Sequence, residues 1–164
     1  LRHSRFPLVV LRLSWAQRPQ NRTIFLMFGV LATSLIFTSI YSEIVQFLEA
    51  DKLSPPEVES DILFSGVAVI LTFQALAFIT PFSEELFFRG FVFRGLIPKV
   101  GPYGAMMISA AIFSGFHLSL GALIPIFITG FLLAWLYWRT GSLWASVGAH
   151  AGQNALALVA TGLT

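Results

Sequence analysis

The sequence predicts an all-α, polytopic transmembrane bundle with about five spanning helices. Of the 164 residues, 56% are hydrophobic and only 11% are charged, whereas a soluble domain usually has about 25% charged residues. The apolar residues also fall in long runs, and a helix needs roughly 20 apolar residues to cross a bilayer. We therefore expect an integral membrane protein whose helices contact membrane lipids.

The apolar runs divide the chain into one basic segment and one membrane domain. Residues 1–23 are basic and contain two prolines, as is typical of an interfacial segment, and residues 24–164 form the predicted membrane domain. An acidic loop and two proline- or glycine-containing breaks separate the apolar runs. The expected spans are residues 24–47, 62–82, 103–120, 122–138 and 143–163.

The connections between the spans have recognisable turn residues. The second span is expected to continue as a helix through residues 84–97. It should then break at Pro98–Pro102, because each proline lacks a backbone donor and the intervening Gly101 tolerates non-helical backbone. A second turn is expected at Arg139–Gly141. Because the first residue is Leu and the last apolar run stops at Thr164, we also expect a segment of a longer protein.

The basic residues predict an orientation and argue against a nucleic-acid partner. Nine of the ten Lys and Arg, all but Lys52, fall in the N-terminal segment, in residues 89–99 or at Arg139. Alternating spans place all nine on one side, which the positive-inside rule assigns to the cytoplasm. We expect the plasma membrane as the location, and no nucleic-acid binding. The chain has no cysteine, which excludes a disulfide framework and a cysteine nucleophile.

Charged residues stand inside the apolar runs at Glu84, Glu85 and Arg89. An ionisable side chain costs at least ~2.5–3.5 kcal/mol at the centre of a bilayer, so such residues indicate function. Glu85 and Arg89 have the i, i+4 spacing at which opposite charges meet on a helix. Adjacent helical residues point about 100° apart, so Glu84 should lie on a different face and be free to act as a base. The alternative is a helix cap, with Ser83 as the N-cap residue.

Two histidines and an amide occur in the later spans. His117 and Glu84 are equally distant from the break at Pro98–Pro102, so two antiparallel helices joined there would place them at the same depth. His150 and Asn154 share a helix face at i, i+4, and two glycines beside them allow another helix to approach closely. A polar clamp between helices would explain one such residue, but the whole set favours an active site.

This set of side chains suits water-mediated hydrolysis of a peptide or protein substrate. Glu84 would be the general base, and His117 would position the water or share its proton. His150 and Asn154 would donate to the developing oxyanion. Alternatively, Glu84, His117 and His150 could hold a Zn²⁺ ion with a bound water, although the usual H-E-x-x-H zinc signature is absent.

Three motifs in this order resemble the CPBP family of intramembrane proteases, the CAAX-processing and bacteriocin-processing or Abi proteins, which include type II CAAX prenyl endopeptidases. They are EELFFR at 84–89, FSGFH at 113–117 and HAGQN at 150–154, within a similar region of about 70–160. The resemblance implies a polytopic helical fold, a site that opens toward the cytoplasm, and peptide-bond cleavage. It implies catalytic roles for Glu84, His117, His150 and Asn154, with Glu85 and Arg89 in support.

The family is often called a metalloprotease family, and a glutamate-activated water without a tightly bound metal is also argued for it. The zinc and metal-free alternatives therefore both stay open. The rival function is a catalytically inactive membrane scaffold or bacteriocin-immunity protein that uses the same cavity for binding. A transporter is a weaker rival, because internal repeats, which are common in transporters, are not evident.

Overall fold

The apolar runs form helices throughout the part of the chain that the structure, a computed structural model, describes. This part comprises residues 20–56 and 67–163, and it contains no strand. The all-α prediction is therefore confirmed. In chain order the helices are α1 (Gln20–Phe47), α2 (Val67–Gln74), α3 (Thr80–Glu85), α4 (Arg94–Phe116), α5 (Leu123–Thr140) and α6 (Leu143–Leu163).

Two π-helical segments flank α3 and join it to its neighbours without interrupting the rod. They are π1 (Ala75–Ile79) and π2 (Leu86–Phe93), and a single 3₁₀ turn, Asp51–Leu53, follows α1. A π segment inserts a wider turn into a helix and is frequent at functional sites. Most of the predicted interfacial segment, residues 1–19, lies outside the described residues, as do residues 57–66 of the predicted loop and second span.

Three helices within the described ranges are long and apolar enough to cross a membrane. They are Gln20–Phe47, Ala68–Phe116 and Leu123–Thr140. The second is 49 residues long and is bent, so it contains two of the predicted spans. The last helix, α6, has 21 residues, which is long enough to cross a membrane, but it is not one of these three helices. A helical membrane bundle is thus confirmed, and the number of five spans stays a prediction.

The bend in the longest helix lies at Gly101, inside the predicted break. Gly101 has φ 71° and ψ 173°, a backbone conformation that glycine adopts easily, and the following Pro102 disfavours α geometry at this position. Beyond the bend, α4 ends at Phe116 rather than near Leu120 as predicted. The reason is local: His117 is the C-cap, and Leu118 takes a positive φ of 51°.

The two limbs on either side of Gly101 pack against each other in antiparallel fashion. The Phe88 and Phe113 rings lie 5.0 Å apart, and the Ser109 hydroxyl donates to the Phe88 carbonyl at 3.2 Å. Phe87 and Phe116 continue the same register, with ring centroids 6.5 Å apart. This register joins residues that are nearly equidistant from the bend, and it extends toward the level of Glu84 and His117.

Helix α5 lies at the centre of the bundle and contacts α1, α4 and α6. It ends at Gly141, whose φ of 70° and N–H bond to Tyr137 O cap the helix, as the predicted turn requires. The main buried cluster joins π2, α4, α5 and α6. Its members are Phe93, Ala105, Met106, Ala134, Tyr137, Leu143 and Val147.

Two glycines on α6 allow α1 to approach closely, as the sequence predicted. A Cβ atom added at Gly148 would lie 2.7 Å from Met27 Sδ, and one added at Gly152 would lie 3.2 Å from Leu31 Cδ2. Helix α1 therefore packs closely against the face of α6 that contains Gly148 and Gly152.

The tightest glycine contact between α4 and α5 yields a prediction about stability. A Cβ atom at Gly130 would lie 2.9 Å from Phe113 Cδ1 and 3.3 Å from Ala110 Cα. We expect Gly130→Ala to lower the free energy of unfolding by about 1–3 kcal/mol, because overpacking forces side chains and backbone apart. Thermal unfolding in detergent measures this.

Gly29 supplies the control, because it lies in the middle of α1 and a Cβ atom there meets nothing within 4 Å. Gly29→Ala should leave stability unchanged or raise it slightly, since alanine has the higher helix propensity. Equal melting temperatures for the two variants would contradict the close packing of α4 on α5.

Candidate active site

The centre of the site is a fully buried ion pair between Glu85 and Arg89. Arg89 Nη1 lies 2.9 Å from Glu85 Oε1, and neither side chain has any exposed surface. Arg89 Nη2 also donates to the Gly130 carbonyl at 2.8 Å, and the guanidinium carbon lies 4.6 Å from the centroid of the Phe113 ring. The predicted ion pair is therefore present, and Arg89 additionally ties π2 to α4 and α5.

His150 lies between the two adjacent glutamates. Its Nδ1 is 2.9 Å from Glu85 Oε1, and its Nε2 is 3.6 Å from Glu84 Oε2. The adjacent positions of Glu84 and Glu85 predicted that the two side chains lie on different faces of the helix. In the structure, one histidine on α6 nevertheless has a ring nitrogen close to each carboxylate. Since the Glu85 carboxylate accepts, Nδ1 carries the proton of this bond, and the ring is fixed with Nε2 toward Glu84.

The two carboxylates differ in their surroundings. Glu85 is fully buried and has two partners, Arg89 and His150, whereas 28% of the Glu84 side chain is exposed. Glu84 can therefore meet a water molecule or a ligand, and Glu85 cannot. Glu84 is thus the accessible carboxylate of the two and Glu85 the buried one, while their predicted roles as base and support stay predictions.

Asn154 lies one turn beyond His150 on α6 and is held by a backbone carbonyl of π1. Its Nδ2 donates to Leu76 O at 3.0 Å. The structure thus brings Asn154 to the same side of α6 as His150, but it uses one amide hydrogen for a bond between helices. An amide group has two hydrogens, so the second can still donate to a ligand.

His117 lies at the end of α4 on the other side of the Phe113 ring. Its Nδ1 is 2.9 Å from the Phe113 carbonyl, and its ring centroid is 4.9 Å from that of Phe113, which in turn is 5.7 Å from that of His150. The Phe113 carbonyl accepts from Nδ1–H, so Nε2 is the nitrogen available to a ligand. Phe113 separates the two histidines and orients both rings.

One cavity of about 330 Å³ connects the candidate residues, a volume within the range of ligand pockets. Its walls contain His117, His150 and Asn154, together with the polar residues Thr80, Thr129 and Gln153. The remaining lining is apolar and comes from Leu76, Phe113, Ile126, Ala157 and Leu158. Glu84 is not among these lining residues, but its carboxylate lies 3.6 Å from Nε2 of His150, which is one of them.

The residues proposed as zinc ligands do not form a metal-binding cluster. Within residues 20–56 and 67–163, no group of three or more His, Asp or Glu side chains is arranged to hold a metal ion. Nδ1 of His150 is held by Glu85 and Nδ1 of His117 by the Phe113 carbonyl, which leaves Nε2 of each ring free. In this conformation Glu84, His117 and His150 are not grouped around one point as Zn²⁺ ligands, and the zinc alternative stays a prediction.

Sequence reasoning missed three polar residues near the cavity. Ser34, Thr129 and Gln153 come from α1, α5 and α6 and are joined by hydrogen bonds. Gln153 follows His150 by three residues, so the two share a helix face, and this spacing was an available signal. Ser34 and Thr129 gave no comparable signal, because single hydroxyl residues are common in membrane helices.

The buried ion pair generates a prediction about folding. In Arg89→Leu, Glu85 would be left as an uncompensated buried charge, which typically costs about 3–5 kcal/mol. We expect a correspondingly large drop in thermal stability in detergent. Arg22→Leu is the matched control, because Arg22 is exposed near the start of α1 and its removal should have little effect. Similar melting of the two variants would contradict the central role of the pair.

A comparison with known protein families matches the region of the sequence that contains the candidate site. The family described as type II CAAX prenyl endopeptidase Rce1-like matches residues 65–156. A protein from Bacillus subtilis (strain 168), named "Putative membrane peptidase YdiL", is 33% identical over 92 residues. This alignment covers 56% of the chain but only 38% of that relative.

A second relative matches over a longer stretch. It is the "UPF0177 protein YxdF" of Lactococcus lactis subsp. lactis (strain IL1403), which is 27% identical over 132 residues, covering 79% of this chain and 70% of the relative. No solved structure shows significant similarity. The matched family region contains α2 to α5 and most of α6, including all three motifs and the Glu85–Arg89 pair, and the chain therefore belongs to the type II CAAX prenyl endopeptidase Rce1-like family.

Proposed function

We propose that this protein is an intramembrane endopeptidase that hydrolyses a peptide bond with a water molecule activated by Glu84. One observation carries the proposal: a buried ion pair fixes His150 so that its free nitrogen faces a partly exposed carboxylate beside a cavity. An oriented base, an oriented imidazole and a space for the substrate are the requirements of such a reaction. Family membership and the name of the first relative support a protease of this kind.

Each residue has a defined part in the proposed reaction. Glu84 accepts a proton from water while the water oxygen attacks the carbonyl carbon of the peptide bond. His150 and the second N–H of Asn154 donate to the oxyanion that forms. The C–N bond then breaks, and the departing nitrogen receives the proton held by Glu84.

His117 and the ion pair act around this centre. His117 offers its Nε2 to the water or to the leaving group, since its Nδ1 is held by Phe113 O. Glu85 keeps the His150 ring in place, and Arg89 balances the buried carboxylate. The basic side of the protein, and with it the opening of the site, is proposed to face the cytoplasm.

The central prediction concerns the exposed carboxylate. We expect Glu84→Gln to reduce hydrolysis of a quenched peptide library by about 10²–10⁴-fold, the usual contribution of a general base. Glu43→Gln is the matched control, because Glu43 is an exposed carboxylate on α1 and its loss should not change the rate. An unchanged rate in Glu84→Gln would refute the role of this residue, whatever the rate of the control.

The arrangement of ligands generates a second prediction. Because Glu84, His117 and His150 do not form a metal cluster, we expect peptide hydrolysis by purified protein to persist after treatment with a strong zinc chelator. The measurement is the rate before and after treatment, and again after Zn²⁺ is added back. Loss of activity that Zn²⁺ restores would contradict the metal-free mechanism and favour the zinc alternative.

A further inference from the structure

A chain of hydrogen bonds joins three helices beside the cavity and ends at the Gln153 amide. Ser34 Oγ lies 2.6 Å from Thr129 Oγ1 and donates to Gln153 Oε1 at 3.0 Å. Ser34 and Thr129 are buried, with 2% and 5% of their surfaces exposed. None of these three side chains has a role in the proposed hydrolysis, although two of them line the same cavity.

The direction of this chain follows from counting hydrogens. The Ser34 hydroxyl has one hydrogen, and it is used in the bond to Gln153 Oε1. The short contact with Thr129 therefore requires Thr129 to donate to Ser34. As a result the Gln153 oxygen is the end acceptor of the chain, and the amide is fixed with its NH₂ group directed away from Ser34.

The Gln153 NH₂ group is a free donor pair at the wall of an otherwise largely apolar cavity. It makes no hydrogen bond to any other group in the part of the chain that the structure describes. Gln153 lies three residues after His150 on α6, and it lines the same cavity as His150 and Asn154. Unpaired donors in an apolar cavity favour a ligand that brings its own acceptor.

We propose that Gln153, oriented by Ser34 and Thr129, donates to a backbone carbonyl of the peptide substrate and is a substrate-binding residue of this site. This inference rests on the proposed peptidase function. A peptide in extended form has unpaired carbonyls that must find donors once it leaves water. Gln153 supplies such donors beyond the reacting bond, while Glu84 and His150 act on the bond itself.

Helix α1 takes part in this site through Ser34. This helix lies outside the residues that match the family, which begin at 65, yet Ser34 holds the amide from the α1 side. The close approach of α1 to α6 at Gly148 and Gly152 places it there. In this chain, therefore, a helix outside the matched region helps to shape the substrate site.

Binding of a fluorescent peptide to the Glu84→Gln protein tests the proposal without relying on turnover. The probe is a peptide from the quenched library that the wild-type protein cleaves or, if none is cleaved, the mixed library itself. We expect Gln153→Leu, which keeps a side chain of similar bulk but removes its donors, to weaken binding by about 3- to 10-fold, the effect of losing one neutral hydrogen bond. Gln74→Leu is the control, because Gln74 is exposed at the end of α2.

A double-mutant comparison of Ser34 and Gln153 distinguishes positioning of the Gln153 amide from a general effect on protein stability. Ser34→Ala should weaken binding by about 2- to 5-fold when Gln153 is present and should have no further effect in Gln153→Leu. The control on the same helix is Thr33→Ala, since the Thr33 hydroxyl bonds only to Gly29 O on its own helix. Melting temperatures of all variants identify any that are misfolded. If Gln153→Leu is misfolded, Gln153→Glu replaces it, because a glutamate keeps an acceptor for Ser34 but lacks the amide donors.

Two results would overturn the inference. One is unchanged peptide affinity in both Gln153→Leu and Gln153→Glu, and the other is no peptide binding to folded Glu84→Gln protein. In active protein the same change should raise KM and leave kcat nearly constant, because binding is lost equally in the ground and transition states. If Glu84→Gln still cleaved peptides, the proposed mechanism would fail, while the affinity comparison at Gln153 would still be decisive.

Discussion

The buried Glu85–Arg89 pair is the interaction on which the rest of the site depends. Two charges that are fully removed from solvent require both mutual attraction and further hydrogen bonds. Arg89 obtains its second bond from the Gly130 carbonyl on α5, and Glu85 obtains its second from His150 on α6. The ion pair thus links three parts of the bundle, and its requirement for partners determines where His150 lies.

His150 lies between two adjacent carboxylates whose surroundings differ. Glu85 is buried and holds Nδ1, whereas Glu84 is partly exposed and faces Nε2. A membrane interior makes such a charge costly unless it is paired. Glu84 lies 3.6 Å from His150 Nε2 and keeps 28% of its side chain exposed, so water can reach it. A buried carboxylate and a partly exposed one are in this way next to each other in the chain.

Much of the fold could be predicted because its signals are local. The break near Gly101, the turn at Gly141 and the Glu85–Arg89 pair each depend on residues within a few positions of one another. The equal distance of Glu84 and His117 from the break agrees with the register of the two limbs, since a single bend determines that register. The end of α4 was missed, because nothing in the sequence identified Leu118 as a residue with positive φ.

Contacts between distant helices could not be predicted from spacing. His150 meets Glu85 across 65 positions, and Ser34 meets Gln153 across 119. Such pairs depend on how the helices rotate and pack, which no local pattern records. The bond from Asn154 to Leu76 O was missed for the same reason. The sequence therefore predicted a candidate set of residues, but it indicated neither the atoms of those residues that are already engaged nor the neighbouring Gln153.

Single-turnover hydrolysis in water labelled with heavy oxygen, followed by mass spectrometry of the peptide products, tests the central claim most directly. If Glu84 activates water for direct attack, the new carboxyl group should contain one labelled oxygen in the first turnover. A first-turnover product without label, with the label found instead in the Glu84 side chain, would show that this carboxylate attacks the peptide bond itself and would contradict the proposed role of Glu84.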